Sequence, residues 1–209
     1  MEIVLLSSKS KLHSEAKLVK KLFQLGLDTF HVRKPKFSSE EMSTYLSLFS
    51  EKHLNKMVLH THHRMAKKYP VRGVHLTKKH RKHRNKKKLI RWFSGLFFKQ
   101  PKVISRNCHK LSDVLSDQFA YEYIILTPVF DSISKKGYGA SFSERTIEEV
   151  LVNSKNKVYA FGGVNAETIP AAQEMGFDGV MLYGSFWKAD DQLEYFKAIQ
   201  NPKVAAQYA

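Results

Sequence analysis

A chain of 209 residues, 43% of them hydrophobic, can bury one sizeable core. Its 35 Lys+Arg against 19 Asp+Glu leave a formal net charge of +16, which points to anionic company, nucleic acid or a phosphorylated metabolite, or simply to solubility. The single cysteine, Cys108, excludes an intramolecular disulfide and a Cys-rich zinc site, and no apolar run reaches the roughly 18 to 20 residues of a membrane span. The apolar part of MEIVLLSSKS is too short for a signal peptide, so a cytoplasmic protein is expected.

In chain order, short β-rich runs alternate with amphipathic runs. Ile3 to Leu6 reads as a first strand. Val19, Leu22 and Phe23 then share one helical face that stops at Gly26. TFHVR reads as the second strand. Ser38 with Glu41 makes a capping box ahead of Met42, Tyr45, Leu46 and Phe49 at helical spacing. KMVLH is the third strand, followed by a short helix, and GVHL from Gly73 to Leu76 is the fourth.

KVIS, YIIL, VYAF and GVML complete about eight strands. Ser143 and Asn165 stand ahead of two further helices, and a last helix is expected from about Asp190 to Ile199 with Leu193, Phe196 and Ile199 on its apolar face. Strands alternating with helices imply parallel pairing and right-handed crossovers. About eight units in this length predict a single (β/α)8 barrel over residues 1–209, with residues 201–209 as a tail; a doubly wound sheet is the alternative.

Residues 77–102, TKKHRKHRNKKKLIRWFSGLFFKQPK, contain no acid. Their apolar members, Leu89, Ile90, Trp92, Phe93, Leu96 and Phe97, fit the inner face of a fourth barrel helix with a solvated basic outer face. Nucleic-acid binding is the rival reading, but no helix-turn-helix, zinc-finger or RNP-type signature accompanies the charge.

In such a barrel the chemistry lies at the C-terminal ends of the strands. Those positions carry His31, Arg33, Lys34 and Lys36; His60, Thr61, His62 and His63; His75, Thr77 and Lys78; and Asn107, Cys108 and His109. Ser132, Ser134 and Lys135 follow the sixth strand, Gly162 and Gly163 the seventh, and Gly184 and Ser185 the eighth. Glycines after the last two strands let backbone N–H groups approach a phosphate. His60, His62 and His63 lack a neighbouring carboxylate and a second cluster at ligand spacing, so no metal site is expected there. In an extended segment His60 and His62 would share one face and His63 the other. Cys108 reads as packing, not as a nucleophile.

The successive strand ends FHVRKP, GVHL, SRNCH, YIILTPVFDSISKKG, YAFGGV and GVMLYGS resemble those of the thiamine phosphate synthase and TenI family, over nearly the whole chain. Pro128, Val129, Phe130, Ser132, Ser134 and Lys135 match its sixth-strand pattern, in which the hydroxyls and lysine hold the thiazole phosphate or diphosphate. Arg33 matches the family arginine. His31 stands where the family has glutamine and Pro35 where it has lysine, with Lys34 or Lys36 as candidate substitutes. The Asn-Asp motif reads His60-Thr61, and the acid after the fourth strand is missing, so both Mg²⁺ carboxylates of the synthase are absent.

The resemblance therefore implies phosphorylated thiazole and pyrimidine metabolites as partners, and admits a homodimer. It favours a TenI-type thiazole tautomerase needing no cofactor. His109 is then the acid/base, Asn107 takes the family serine position, and Arg33 or Lys135 faces the substrate carboxylate. His109 could instead only hydrogen-bond at the start of the fifth helix. Thiamine phosphate synthase, with Mg²⁺, is the alternative activity; a non-catalytic sensor of thiamine or thiazole phosphate is a third.

Overall fold

Eight short strands, most of them buried on both faces, pair in parallel and in sequence order until the first meets the last. They are β1 (Glu2–Leu6), β2 (Thr29–Val32), β3 (Met57–Leu59), β4 (Gly73–Leu76), β5 (Val103–Cys108), β6 (Tyr123–Leu126), β7 (Lys157–Phe161) and β8 (Gly179–Leu182). The computed structural model describes residues 1–9, 14–77, 102–116, 121–131 and 142–200. The closed (β/α)8 barrel is the expected fold, and the doubly wound alternative fails because β1 pairs with β8, Val4 beside Met181.

Between the strands lie α1 (Glu15–Gln24), α2 (Ser39–Ser47), α3 (Glu51–Leu54), α4 (Leu111–Leu115), α5 (Glu144–Val152), α6 (Thr168–Glu174), α7 (Gly184–Lys188) and α8 (Gln192–Gln200). Their starts follow local chemistry. Ser38 accepts from the Glu41 N–H at 3.2 Å while Glu41 Oε2 accepts from the Ser38 N–H at 2.8 Å, the reciprocal cap read from sequence. Ser143 accepts from the Thr146 N–H at 3.3 Å. Asp191 Oδ1 accepts from the N–H groups of Leu193 and Glu194, which starts the last helix two residues later than expected. The link from β3 to β4 is a 3₁₀ turn, His63–Lys67, not an α-helix.

The core has two parts. Alternate residues point into the barrel, where Val4, Leu6, Val58, Ile104, Tyr123, Ile125, Tyr159 and Met181 pack. The other residues of each strand meet the helices, as Phe30, Val32 and Leu59 do against Val19, Leu22, Met42 and Leu46. Gly179 is what lets the interior close. A Cβ there would sit 3.0 Å from the Tyr159 ring and 2.8 Å from the Glu2 carbonyl, and Tyr159 stacks on Tyr123 with centroids 4.2 Å apart. Cys108, fully buried, belongs to the helix-side core. Among the described residues no helix is long and apolar enough to cross a membrane. The expected fourth helix, with the basic stretch 78–101, and the tail 201–209 lie outside the described residues.

Candidate active site at the barrel mouth

Inward-facing positions on β2 and β4, and the residue following β3, carry imidazoles. His31 pairs in register with Val58, and Leu59 with Val74, so the next step brings His60 beside His75. The His60 and His75 rings stack at 4.0 Å, tilted by 13°. His31 Nδ1 lies 2.7 Å from His60 Nε2, and His31 Nε2 lies 2.5 Å from the Tyr123 hydroxyl. His75 Nδ1 lies 2.9 Å from Ser105 Oγ, on the neighbouring strand. All three rings are buried.

Burial holds both His31 and His60 well below the ordinary imidazole value, and the neighbouring His75 adds to it. Neutral rings have one N–H and one lone pair each, so the contacts form a directional chain. When Tyr123 donates to His31 Nε2, His31 Nδ1–H donates to His60 Nε2. Burial raises the Tyr123 hydroxyl, which keeps its proton. From the sequence, His60, His62 and His63 are weighed together and no metal site is expected; the meeting of His60 with His31 and His75 is not anticipated. The period-2 alternation that places His31 and His75 inward was the available signal. The alternation itself stops at His60: His62 takes φ 54° and turns its Nε2 to the Phe37 carbonyl at 2.9 Å.

Beyond β2 the chain separates its cations. Arg33 is exposed, its N–H donating to Ser7 Oγ at 2.8 Å. Lys34 faces the other way, 1% exposed, with Nζ 2.8 Å from Glu15 and 2.7 Å from the Ser8 carbonyl. Tyr45 donates to the same carboxylate at 2.6 Å. Lys34 is thus committed to the α1–α2 layer and is not placed to stand in for the family lysine; Lys36 is exposed.

The opposite side of the mouth is built by β5 to β8. His109, exposed, brings Nδ1 within 2.9 Å of the Thr127 carbonyl. A carbonyl only accepts, so Nδ1 carries the proton and the lone pair of the neutral ring is on Nε2. The Thr127 carbonyl lies just beyond β6, not at the start of the helix that follows His109. Asn107 Oδ1 is buried with no hydrogen bond among the described residues.

Three loops form one ledge beside His109. Val129 and Phe130 donate to the Phe161 and Gly162 carbonyls at 3.1 and 3.0 Å. Ser185 Oγ donates to the Val164 carbonyl at 2.7 Å. That bond uses the only Ser185 hydroxyl proton, so any hydrogen bonds from this residue to an anion come from its backbone N–H. Gly163 has φ +72°, and a Cβ on it would lie 2.4 Å from the Asp131 carbonyl, so the two loops touch backbone to backbone. Gly184 begins α7, whose Trp187 Nε1 donates to the Leu6 carbonyl at 2.8 Å. Ser132, Ser134 and Lys135, expected to complete the phosphate cradle, lie outside the described residues.

The Mg²⁺ that the synthase would use does not fit the residues found here. The chain has no Asp or Glu from 52 to 112, a span covering both strand ends where its carboxylates are expected. The donors at those ends are imidazole nitrogens and the hydroxyls of Thr61 and Thr77, whereas Mg²⁺ selects anionic and other oxygens in octahedral array.

A family model described as thiamine monophosphate synthase matches residues 3–186. The chain is 30% identical over 153 residues to a Bacteroides thetaiotaomicron protein named thiamine-phosphate synthase, covering 70% of this chain and 69% of that one. A Bacteroides fragilis protein of the same name is 28% identical over 151 residues, 69% of this chain and 70% of its own. The crystal structure of thiamine phosphate pyrophosphorylase from Bacteroides thetaiotaomicron shares the fold, with TM-score 0.75 and 22% identity over 99% of this chain and 98% of that one. An eight-stranded barrel with this mouth, matched from its first strand to the helix after its last, belongs to the thiamine monophosphate synthase family.

Proposed function

We propose that the chain acts on a phosphorylated thiazole, as a tautomerase that needs no metal. The observation that carries the reading is the single tautomer imposed on His109: Nδ1–H is held by the Thr127 carbonyl, which leaves Nε2 basic at the exposed edge of the mouth. Tautomerisation moves one proton and changes no other atom, so one imidazole can remove it from one position and return it at another. The ledge of Gly163, Gly184 and Ser185 supports phosphate binding through backbone N–H groups. Arg33, exposed across the mouth, is the cation for the substrate carboxylate. Ser132, Ser134 and Lys135 are assigned to the phosphate on the family resemblance alone.

Thiamine phosphate synthase is the second reading, supported by the names of the relatives at 28% and 30% identity. The donor set at β3 and β4 argues against it. An NMR time course of the carboxylated thiazole phosphate tautomer, with EDTA present, tests the choice. Aromatisation accelerated by the wild type and slowed at least about 100-fold in His109→Gln is expected, the scale of general acid–base catalysis. No acceleration by the wild type, together with thiamine phosphate formation on adding Mg²⁺, would reverse the assignment. Tight binding of thiazole phosphate with neither reaction would leave the sensor.

A further inference from the structure

We infer that His31, His60 and His75 form a binding site for a borderline divalent transition metal, with Zn²⁺ as its natural probe. The ligand nitrogens of the three residues lie within 4.8 Å of one another, and all three rings are buried at the C-terminal side of the barrel. Imidazole binds such metals through a ring-nitrogen lone pair, and each of the three rings turns one nitrogen toward the other two. Mg²⁺ and Ca²⁺ are excluded by the absence of oxygen donors in the cluster.

Two rings are also oriented as metal ligands usually are, by a second partner on the other nitrogen. His31 is held through Nε2 by Tyr123 OH, which presents Nδ1 to the cluster. His75 is held through Nδ1 by Ser105 Oγ, which assigns Nε2 to the metal. His60 contributes Nε2. Zn–N bonds of 2.0–2.1 Å at tetrahedral angles put ligand nitrogens about 3.3 Å apart. The 2.7 Å between His31 and His60 must therefore open by about 0.6 Å, the His31 proton must move from Nδ1 to Nε2, where it donates to the Tyr123 hydroxyl oxygen, and the stacked His75 ring must tilt. Three neutral ligands leave the ion its full charge and a fourth position for water or an anion. This site is separate from proton transfer by His109, and neither requires the other.

The test is titration of tag-free, chelator-treated protein with Zn²⁺ against a chromophoric competitor, and with Co²⁺ followed by its visible spectrum. One tight equivalent per chain is expected, with the strong visible bands of a low-coordinate nitrogen site for Co²⁺. His75→Ala and His31→Gln should each weaken Zn²⁺ by at least about 100-fold, and Ser105→Ala, which removes only the orienting hydroxyl, by about 10-fold. His53→Ala, outside the cluster, should change nothing. Zn²⁺ should raise the melting temperature of the wild type and not of His31→Gln, whatever their metal-free stabilities. If a ligand variant fails to fold, Ser105→Ala and the wild-type Co²⁺ spectrum decide. Zn²⁺ bound equally by wild type, His31→Gln and Ser105→Ala, or an octahedral-type Co²⁺ spectrum, would overturn the site and assign binding to surface histidines. None of these readouts involves thiazole chemistry, so the tautomerase reading can fail without touching them.

Discussion

Lys34→Met removes one partner of a buried ion pair and leaves the other. Glu15 is 0% exposed and Lys34 1%, with 2.8 Å between carboxylate and ammonium. In the variant the carboxylate keeps its bonds from the Ser8 N–H and Tyr45 hydroxyl but loses its one charged partner among the described residues. Stranding a charge in this way costs about 3–5 kcal/mol, which in a chain of this size lowers the melting temperature by about 6–20 °C at pH 7. The pH dependence follows from Glu15, whose carboxyl is raised above its ordinary value by burial, with Lys34 and Tyr45 opposing. A raised carboxyl gives stability that is present below the unfolded value and lost as pH rises through the folded one. Lys34→Met raises Glu15 further, so its deficit against the wild type should shrink as pH is lowered from 7 to 5. Pairing it with Glu15→Gln should recover at least half of the loss. Thermal melts at the two pH values measure both effects. A Lys34→Met protein within 2 °C of the wild type, or one whose deficit grows on acidification, would refute the structural role assigned to this lysine.

Gly163→Ala meets both a positive φ and a carbonyl 2.4 Å from the new Cβ, so it should cost at least about 1–3 kcal/mol and weaken thiazole phosphate at least 10-fold in calorimetry. His31 and His60, depressed by burial, contribute stability that is present above about 6.5 and lost as pH falls through their folded values. The double variant His31→Gln/His60→Asn should therefore show a flatter fall in denaturation midpoint below pH 6.5 than the wild type. Tyr123→Phe removes the partner of the buried His31 Nε2 and should cost about 1–3 kcal/mol in urea unfolding without changing the slope of the transition.

The fold was legible because its signals were local and repeated. Ile3–Leu6, YIIL and GVML are apolar runs whose burial on both faces needs no partner to be recognised, and Ser38 with Glu41 announces its helix within four residues. Helix α7 escaped notice since Gly184–Lys188 is five residues long, too short to show a period. The site was legible strand by strand but not across strands. Counting strand ends placed His109 and the glycines at the mouth, and the role proposed for His109 came from the family resemblance. The meeting of His31, His60 and His75 depends on register, which the hydrogen bonds of three separate strands set and no short window contains. The direction of Lys34 was equally hidden: its partner Glu15 is nineteen positions away on another element.

The first-to-last pairing of β1 and β8, with the Trp187 bond to Leu6, has a temporal consequence. The ledge that would receive phosphate is fastened by residues at both extremes of the barrel: Leu6 at one, and Ser185 and Trp187 at the other. A nascent chain that has not yet released α7 from the ribosome can have seven strands aligned and still have no anion site. An anion bound there would report that synthesis has passed residue 187 and would act as a late latch, favouring finished barrels over truncated ones by mass action.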